Sequence, residues 1–495
     1  MHFHVRKLCQ DRFAAASAPP GVELLTYPIR GGLRIGGLVA ATSFALVGCW
    51  PAASQPPSVL LIVIDTLRAD RLGAYGHEAA TSPHLDRFAN EAVVFDDAVS
   101  PAPFTMPAVA ALMTGLYPDR AGVINHSRKD RLATPSPTLA EIARRAGYRT
   151  AAVVSNPWLR PEMLFDRGFE RYVTKGDAPG SFGAAEVTDR AIEIVESLDR
   201  AALMWVHYID AHMPYRPPRR LAESFGVPSA TTVVIDDYRA AAAPERQRIY
   251  FAAPYSAHEI EQTRRLYDAS IRLVDENISR LLAAVDERLG RDDTIVVVAA
   301  DHGESLGDHG LHFAHDFTVY QELVHVPLMI RAPGVDARRV RRPVSLVDVL
   351  PTLCALTALS CPLGLDGRPL PLDADATDER AVFAANAPYR ARYHESPFSF
   401  VRGAAGRSTM IRLGTMKLIR VPRPEGPAWE LYDLEADPRE LRDAYRPAAH
   451  APLAQRLERW IAEMESARSS GGIRRAPGLL DDDTERELRS LGYLD

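Results

Sequence analysis

Three nearly unbroken apolar runs divide the chain: Val59 to Ile64, Ala202 to Tyr208, and Thr294 to Ala300. Runs of this length without polar alternation mark strands buried on both faces, as in a parallel sheet. Between them the apolar residues return at helical spacing. Helices are predicted from Ser136 to the stop at Gly147 and from Ala184 to Asp199, with a strand over Ala151 to Val154. A third, long helix opens on the capping box of Ser256 and Glu259, carries Ile260, Tyr267, Ile271, Val274, Ile278, Leu281 and Val285, and ends at Gly290. The alternation predicts an α/β fold, a mostly parallel central sheet with helices on both faces. In such folds ligands gather beyond the carboxyl ends of the strands. Asp65 directly follows the first run and Asp301-His302 the last, so the topology can bring them together. The stretch Ser100 to Pro118 reads as a loop entering a helix, with Thr105 at the N-cap, Pro107 in the first turn and a stop at Gly115. A hydroxyl there faces the positive end of the helix, a setting that suits a nucleophile toward an anionic ester. Alone, each feature also reads as an ordinary cap or turn; their conjunction points to a site.

The remaining composition adds location rather than chemistry. A formal charge of −6 over 495 residues gives no nucleic-acid footprint, and no repeat or nucleic-acid motif appears. Arg30 and Arg34 precede an apolar run from Ile35 to Gly48 that ends in Leu46-Val47-Gly48-Cys49, with Pro51, Pro56 and Pro57 beyond. This resembles a bacterial lipoprotein signal and tether, too short to span a membrane, with Cys49 as the lipidated residue. The expectation is an exported protein held to a membrane by a lipid on Cys49, periplasmic or at the cell surface of a bacterium. The segment before Arg30 is one such a signal would lack, which leaves starts at Val22 or Leu24 open, and a buried apolar segment of a cytoplasmic protein is the competing reading. Cys9, Cys49, Cys354 and Cys361 form no CxxC pair and no zinc cluster. Cys354 and Cys361 are close enough to pair in an oxidising compartment or to remain thiols.

Several motifs together carry a resemblance. Ile64-Asp65-Thr66-Leu67-Arg68-Ala69-Asp70, Ser82-Pro83-His84-Leu85-Asp86, Ala300-Asp301-His302-Gly303-Glu304 and His207-Tyr208-Ile209-Asp210-Ala211-His212 resemble the sulfatase family of the alkaline phosphatase superfamily. Val326 to Gly334, Ser345 to Leu353 and Glu430 to Pro438 extend the likeness over almost everything from residue 57 onward. The resemblance implies an alkaline-phosphatase-like fold, a metal held by Asp65, Asp301 and His302, and Thr105 as both nucleophile and metal neighbour. Carboxylates, one imidazole and a hydroxyl suit one divalent ion, Mn, Zn, Mg or Ca. His212, with His207 and His315, is placed to bind the anion's oxygens or protonate the leaving group. His309, His312 and His325 are expected to be structural or solvent-facing.

Departures from the family pattern narrow the chemistry. Sulfatases carry Cys or Ser within Cys/Ser-x-Pro-Ser-Arg and convert it to formylglycine, whereas this chain reads Thr105-Met106-Pro107-Ala108-Val109. Threonine cannot become formylglycine. Thr66 replaces a metal-binding Asp, and Ser155 and Pro157 stand where Lys and His are usual. What remains is similar to the single-metal site of phosphotransferases and phosphodiesterases that use a threonine. Phosphate-ester or phosphodiester chemistry is therefore expected, on a glycan or lipid ester among other substrates. Sulfate-ester hydrolysis without formylglycine is the second reading, and an inactive glycan-binding surface protein the third. Residues 1–56 are read as extension, signal and tether, 57–372 as the catalytic domain, and 373–495 as a C-terminal subdomain and tail. The last comprises a small antiparallel sheet (Ala381 to Ala385, Thr409 to Arg412, Lys417 to Val421, Trp429 to Asp433) and a helix from Ala451 to Ala467. The Pro- and Ala-rich insertion at 217–255 is expected to set substrate choice.

Overall fold

A computed structural model of the chain describes residues 56–126, 130–175, 181–198, 201–228, 255–315, 317–372, 379–388 and 406–470. Cys49, most of the 217–255 insertion and the tail after residue 470 lie outside them. Among the described residues, no helix is long and apolar enough to cross a membrane.

The large sheet has eight strands: β1 (Ser58–Ile64), β2 (Val93–Phe95), β3 (Arg149–Val154), β4 (Arg171–Val173), β5 (Ala202–Tyr208), β6 (Thr294–Ala300), β7 (Leu328–Arg331) and β8 (Arg338–Val340). Their spatial order is β8-β2-β7-β6-β1-β5-β3-β4. Only β7 runs against its neighbours; the other pairings are parallel. Strands β1, β5 and β6 are buried along their whole length, which is why their sequences do not alternate. Ile64 pairs with Ala300 and with Tyr208, so the chain leaves β1 and β6 side by side. The register thereby brings Asp65 beside Asp301.

The helices include α1 (Thr105–Thr114), α2 (Leu139–Arg145), α3 (Ala184–Ser197), α4 (Ala257–Val285) and α5 (Pro447–Ser470). All ten residues of α1 are buried. Helix α2 starts later than the sequence pattern indicates, because Thr138 and Glu141 form a capping box after Ser136-Pro137. The box of Ser256 and Glu259 opens α4 as expected, and α4 lays its apolar stripe over the core. Cys354 and Cys361 are both free thiols, so of the two alternatives the reduced one holds here.

A four-stranded antiparallel sheet, β9 (Val382–Ala385), β10 (Thr409–Leu413), β11 (Met416–Val421) and β12 (Ala428–Asp433), follows in sequence order. The described residues from 56 onward form one compact unit that includes it. Leu457, Trp460 and Met464 of α5 bury against Ile411, Leu418 and Leu431, with Trp460 stacked 4.8 Å from Phe383. His309 ties the two parts together. Its Nδ1 lies 2.9 Å from Glu322 Oε1, its Nε2 donates to the Glu440 carbonyl at 3.1 Å, and the ring stacks on Tyr320. Burial opposes its charge, yet the Glu322 carboxylate and the Glu440 carbonyl raise its pKa to about 9. A raised histidine pKa adds stability below the unfolded value near 6.5 that is lost as pH climbs through about 9. Allowing for partial exposure, unfolding free energy should fall by about 1–2 kcal/mol across that window, and urea titrations of His309→Gln should lack this segment of pH dependence.

Candidate active site

At the carboxyl edge of β1 and β6 the side chains of Asp65, Asp301 and His302 are wholly buried, and they offer ligand atoms within 4.8 Å of one another. Asp65 Oδ1 and Asp301 Oδ2 have no hydrogen-bond partner. His302 Nδ1 donates to the Gly303 carbonyl at 2.9 Å, which leaves the lone pair on Nε2, 3.4 Å from Asp65 Oδ1 and 3.7 Å from Asp301 Oδ2. Burial and the neighbouring Asp301 charge drive the Asp65 carboxyl well above the usual carboxylate range, against the pull of Asn156. Burial works on Asp301 too, but His302 and His207 beside it bring its carboxyl below the ordinary value. Two orphaned carboxylate oxygens and an imidazole lone pair, shut away from water, fit a divalent cation. These three residues could hold one.

The turn leaving β1 is strained to make this possible. Thr66 sits at φ +56°, a region that β-branched residues avoid. Its N–H donates to Asp301 Oδ1 at 3.3 Å, and Tyr267 of α4 donates to its carbonyl at 2.7 Å. Tyr267 also accepts from Arg68 N–H at 3.0 Å, so one phenol pins both sides of the turn. Gly303 is equally constrained, since a Cβ there would fall 2.0 Å from the Glu322 carbonyl oxygen.

Thr105 joins this cluster, with Oγ1 3.3 Å from His302 Nε2. It is the first residue of α1, not the N-cap; extended Phe104 is the cap and contributes no side-chain hydrogen bond. The amides of the first turn are largely engaged. Pro107 has no N–H, Met106 N–H donates to His126 Nε2 at 3.2 Å, and Ala108 N–H bonds back to Phe104. His126 stacks on Trp158 and meets Phe104 edge to face.

That aromatic stack leads to a residue that sequence reasoning missed. Asn156 Oδ1 accepts from Trp158 N–H at 2.8 Å, which turns Nδ2 toward Asp65 Oδ2 at 2.6 Å and Thr105 Oγ1 at 3.3 Å. Asn-Pro reads as a plain turn in sequence, so only the neighbouring departures at Ser155 and Pro157 hinted at this position. Glu304 was likewise visible only as the last letter of Asp-His-Gly-Glu. It is fully buried, takes a hydrogen bond from His315 Nδ1 at 3.0 Å, and lies 3.5 Å from the Met213 amide. Burial opposes its charge, but His315 and His212 hold it below the usual glutamate range.

Of the histidines expected near substrate, His315 packs 4.6 Å from His302, ring centre to ring centre, and His212 5.0 Å from His315. Burial, with His315 beside it, pushes the His212 pKa down to about 4. Its charged form is thus disfavoured in this setting. His207 lies apart from this row. It is fully buried, with Nε2 3.9 Å from Asp65 Oδ2 and 4.0 Å from Asp301 Oδ2. His309 and His325 make structural bonds to Glu322 and to the Asp96 carbonyl, and His312 meets Tyr255 edge to face.

The chain resembles known proteins over most of its length. The family model "Sulfatase" matches residues 57–359, and "N-sulphoglucosamine sulphohydrolase, C-terminal" matches 307–467. A choline-sulfatase of Rhizobium meliloti is 25% identical, the match covering 78% of this chain and 81% of that protein. An N-acetylglucosamine-6-O-sulfatase of Bacteroides thetaiotaomicron is 24% identical over 83% of this chain and 87% of its own. Among solved structures, a phosphonate monoester hydrolase of Agrobacterium radiobacter superposes with a TM-score of 0.63 at 22% identity, covering 84% of this chain and 96% of that one. A protein solved with its substrate D-glucosamine-2-N,6-O-disulfate superposes at 0.65 with 20% identity, covering 86% and 100%.

Proposed function

The chain belongs to the sulfatase family and is an ester hydrolase of that superfamily, and from this premise we propose that it cleaves phosphorus esters through Thr105, with phosphodiesters and phosphate monoesters favoured. The observation that carries the reading is a threonine hydroxyl, buried beside Asp65, Asp301 and His302 and held by Asn156, at the position where sulfatases need a residue convertible to formylglycine. A divalent cation on Asp65, Asp301 and His302 would supply the positive charge that lowers the cost of a Thr105 alkoxide. Asn156 Nδ2 orients Thr105 Oγ1 and stays hydrogen-bonded to it as charge develops. In the first step the Oγ–P bond forms, the P–O bond to the leaving alcohol breaks, and the hydroxyl proton ends on the departing oxygen. In the second, water or an acceptor alcohol attacks phosphorus, the Oγ–P bond breaks, and Thr105 recovers a proton. His212, neutral at rest, is the base that takes the attacking molecule's proton. A phosphothreonine can be resolved this way, whereas a sulfothreonine lacks the elimination route open to formylglycine sulfate.

Sulfate-ester hydrolysis is kept as the second reading because the curated relatives described above are sulfatases. Metal-loaded enzyme assayed on matched aryl phosphate monoester, phosphodiester and sulfate ester separates the two. Turnover of a phosphorus ester that disappears in Thr105→Ala is expected. Sulfate turnover that survives Thr105→Ala would sink the mechanism, and bound metal with no turnover on any ester would favour a glycan-binding protein. Export and membrane attachment through lipid on Cys49 belong to the same proposal; acyl labelling lost in Cys49→Ala is the check.

A further inference from the structure

We propose that His207 is a ligand of the metal centre rather than a contact to substrate, so that the centre presents two imidazoles with its two carboxylates. The inference rests on the metal-binding part of the function proposed above. His207 sits on β5, in register with Val63 of β1 and Val154 of β3, one pairing short of the strand end. The ring is therefore fixed from both sides by central strands, and it is completely buried. Neither ring nitrogen has a partner within 3.5 Å, the nearest carboxylate oxygens lying just beyond. A buried imidazole left unsatisfied at both nitrogens is costly, and native structures seldom keep one without a use for it. Trp205 packs edge to face against the ring at 6.1 Å. Nε2 faces both aspartates, 3.9 Å from Asp65 Oδ2 and 4.0 Å from Asp301 Oδ2. Those separations are too long for hydrogen bonds and lie near the upper end of what two donors can span across one ion, about 4.0–4.4 Å when each is bound at about 2.0–2.2 Å. His302 reaches the same carboxylates from the loop after β6, at 3.4 and 3.7 Å. Asp301 Oδ2, orphaned like the His207 nitrogens, is the oxygen that both histidines approach.

The donor set has a consequence for the ion. Two imidazoles with two carboxylates suit Zn²⁺ or Mn²⁺, whereas Ca²⁺ and Mg²⁺ favour oxygen-only shells.

The test uses the full chain, stripped of metal and titrated with Zn²⁺ or Mn²⁺ by calorimetry against a competing chelator, together with the visible spectrum of the Co²⁺-loaded protein. Wild type should bind one ion per chain. His207→Ala and the bulkier His207→Gln should weaken binding by about 10- to 100-fold or more and alter the Co²⁺ bands, while metal-free melting temperatures show that the variants are folded. Unchanged affinity with an unchanged Co²⁺ spectrum in a folded variant overturns the inference alone, and a rise in KM with metal binding intact would return His207 to the substrate. A wild-type chain that binds no divalent ion overturns both this inference and the metal-dependent mechanism.

Discussion

Thr105→Ala should remove ester turnover by at least about 10⁴-fold in kcat while leaving the protein folded. Loss on that scale follows the removal of a nucleophile from a set of groups that work as a unit. The hydroxyl contributes little to stability: Thr105 does not cap its helix, and its side-chain bonds run to His302 and Asn156, both at 3.3 Å. Alanine also has the higher helix propensity. Thr105→Ser keeps the oxygen but frees χ1, so it should retain activity within about tenfold, the methyl serving to hold the rotamer. Rapid-quench measurement of a phosphorylated chain in wild type and Thr105→Ser, absent in Thr105→Ala, is the direct check. Equal kcat in wild type and Thr105→Ala would show that the attacking oxygen is not on this residue.

Asn156→Ala should cost about 10²–10³-fold in kcat, the range found when one preorganised donor is taken from a site of developing negative charge. The side chain is fixed through Oδ1 on the Trp158 amide, so its N–H groups are aimed before substrate arrives. Asn156→Asp is the sharper variant. It keeps size and the Trp158 bond but sets a carboxylate oxygen against Asp65, whose partner now lies 2.6 Å away. Asp65 is already driven upward by burial and by Asp301. A third carboxylate should therefore raise the activity–pH profile's acidic limb and lower kcat at neutral pH by more than alanine does, while metal affinity falls less than activity. A variant as active as wild type would remove Asn156 from the chemistry.

How much of this was legible depended on whether the information lay along the strand or across it. Asp65 and Asp301 were readable because each ends a run with no polar alternation, and parallel strands place such ends at one edge. The strands Ala202–Tyr208 and Thr294–Ala300 fall at the expected bounds for the same reason. The start of α1 slipped by one residue because backbone dihedrals, which the sequence does not display, put Thr105 inside the helix and make extended Phe104 its cap. His207 was recognisable as chemically interesting, but alternation along β5 cannot say which neighbour its ring meets once three strands are side by side. Asn156 and Glu304 were hidden more deeply. Each acts through tertiary partners, Trp158 and Thr105 for one, His315 and the His212 segment for the other, that lie on different elements. The clamp by Tyr267 was masked in the same way, since it looks like one more apolar position on α4.

The residue after Asn156 is Pro157, the first of the short helical turn over Pro157–Leu159. Asparagine ages by cyclisation, in which the following backbone nitrogen attacks the side-chain amide and ammonia departs, leaving aspartate or isoaspartate. Proline's nitrogen carries no hydrogen and cannot complete that ring closure. Asn156, whose conversion to an acid would place a further negative charge against Asp65, is thus chemically shielded from spontaneous deamidation, so the site's charge balance is protected over the lifetime of a protein that, once made, has no means of replacing the residue.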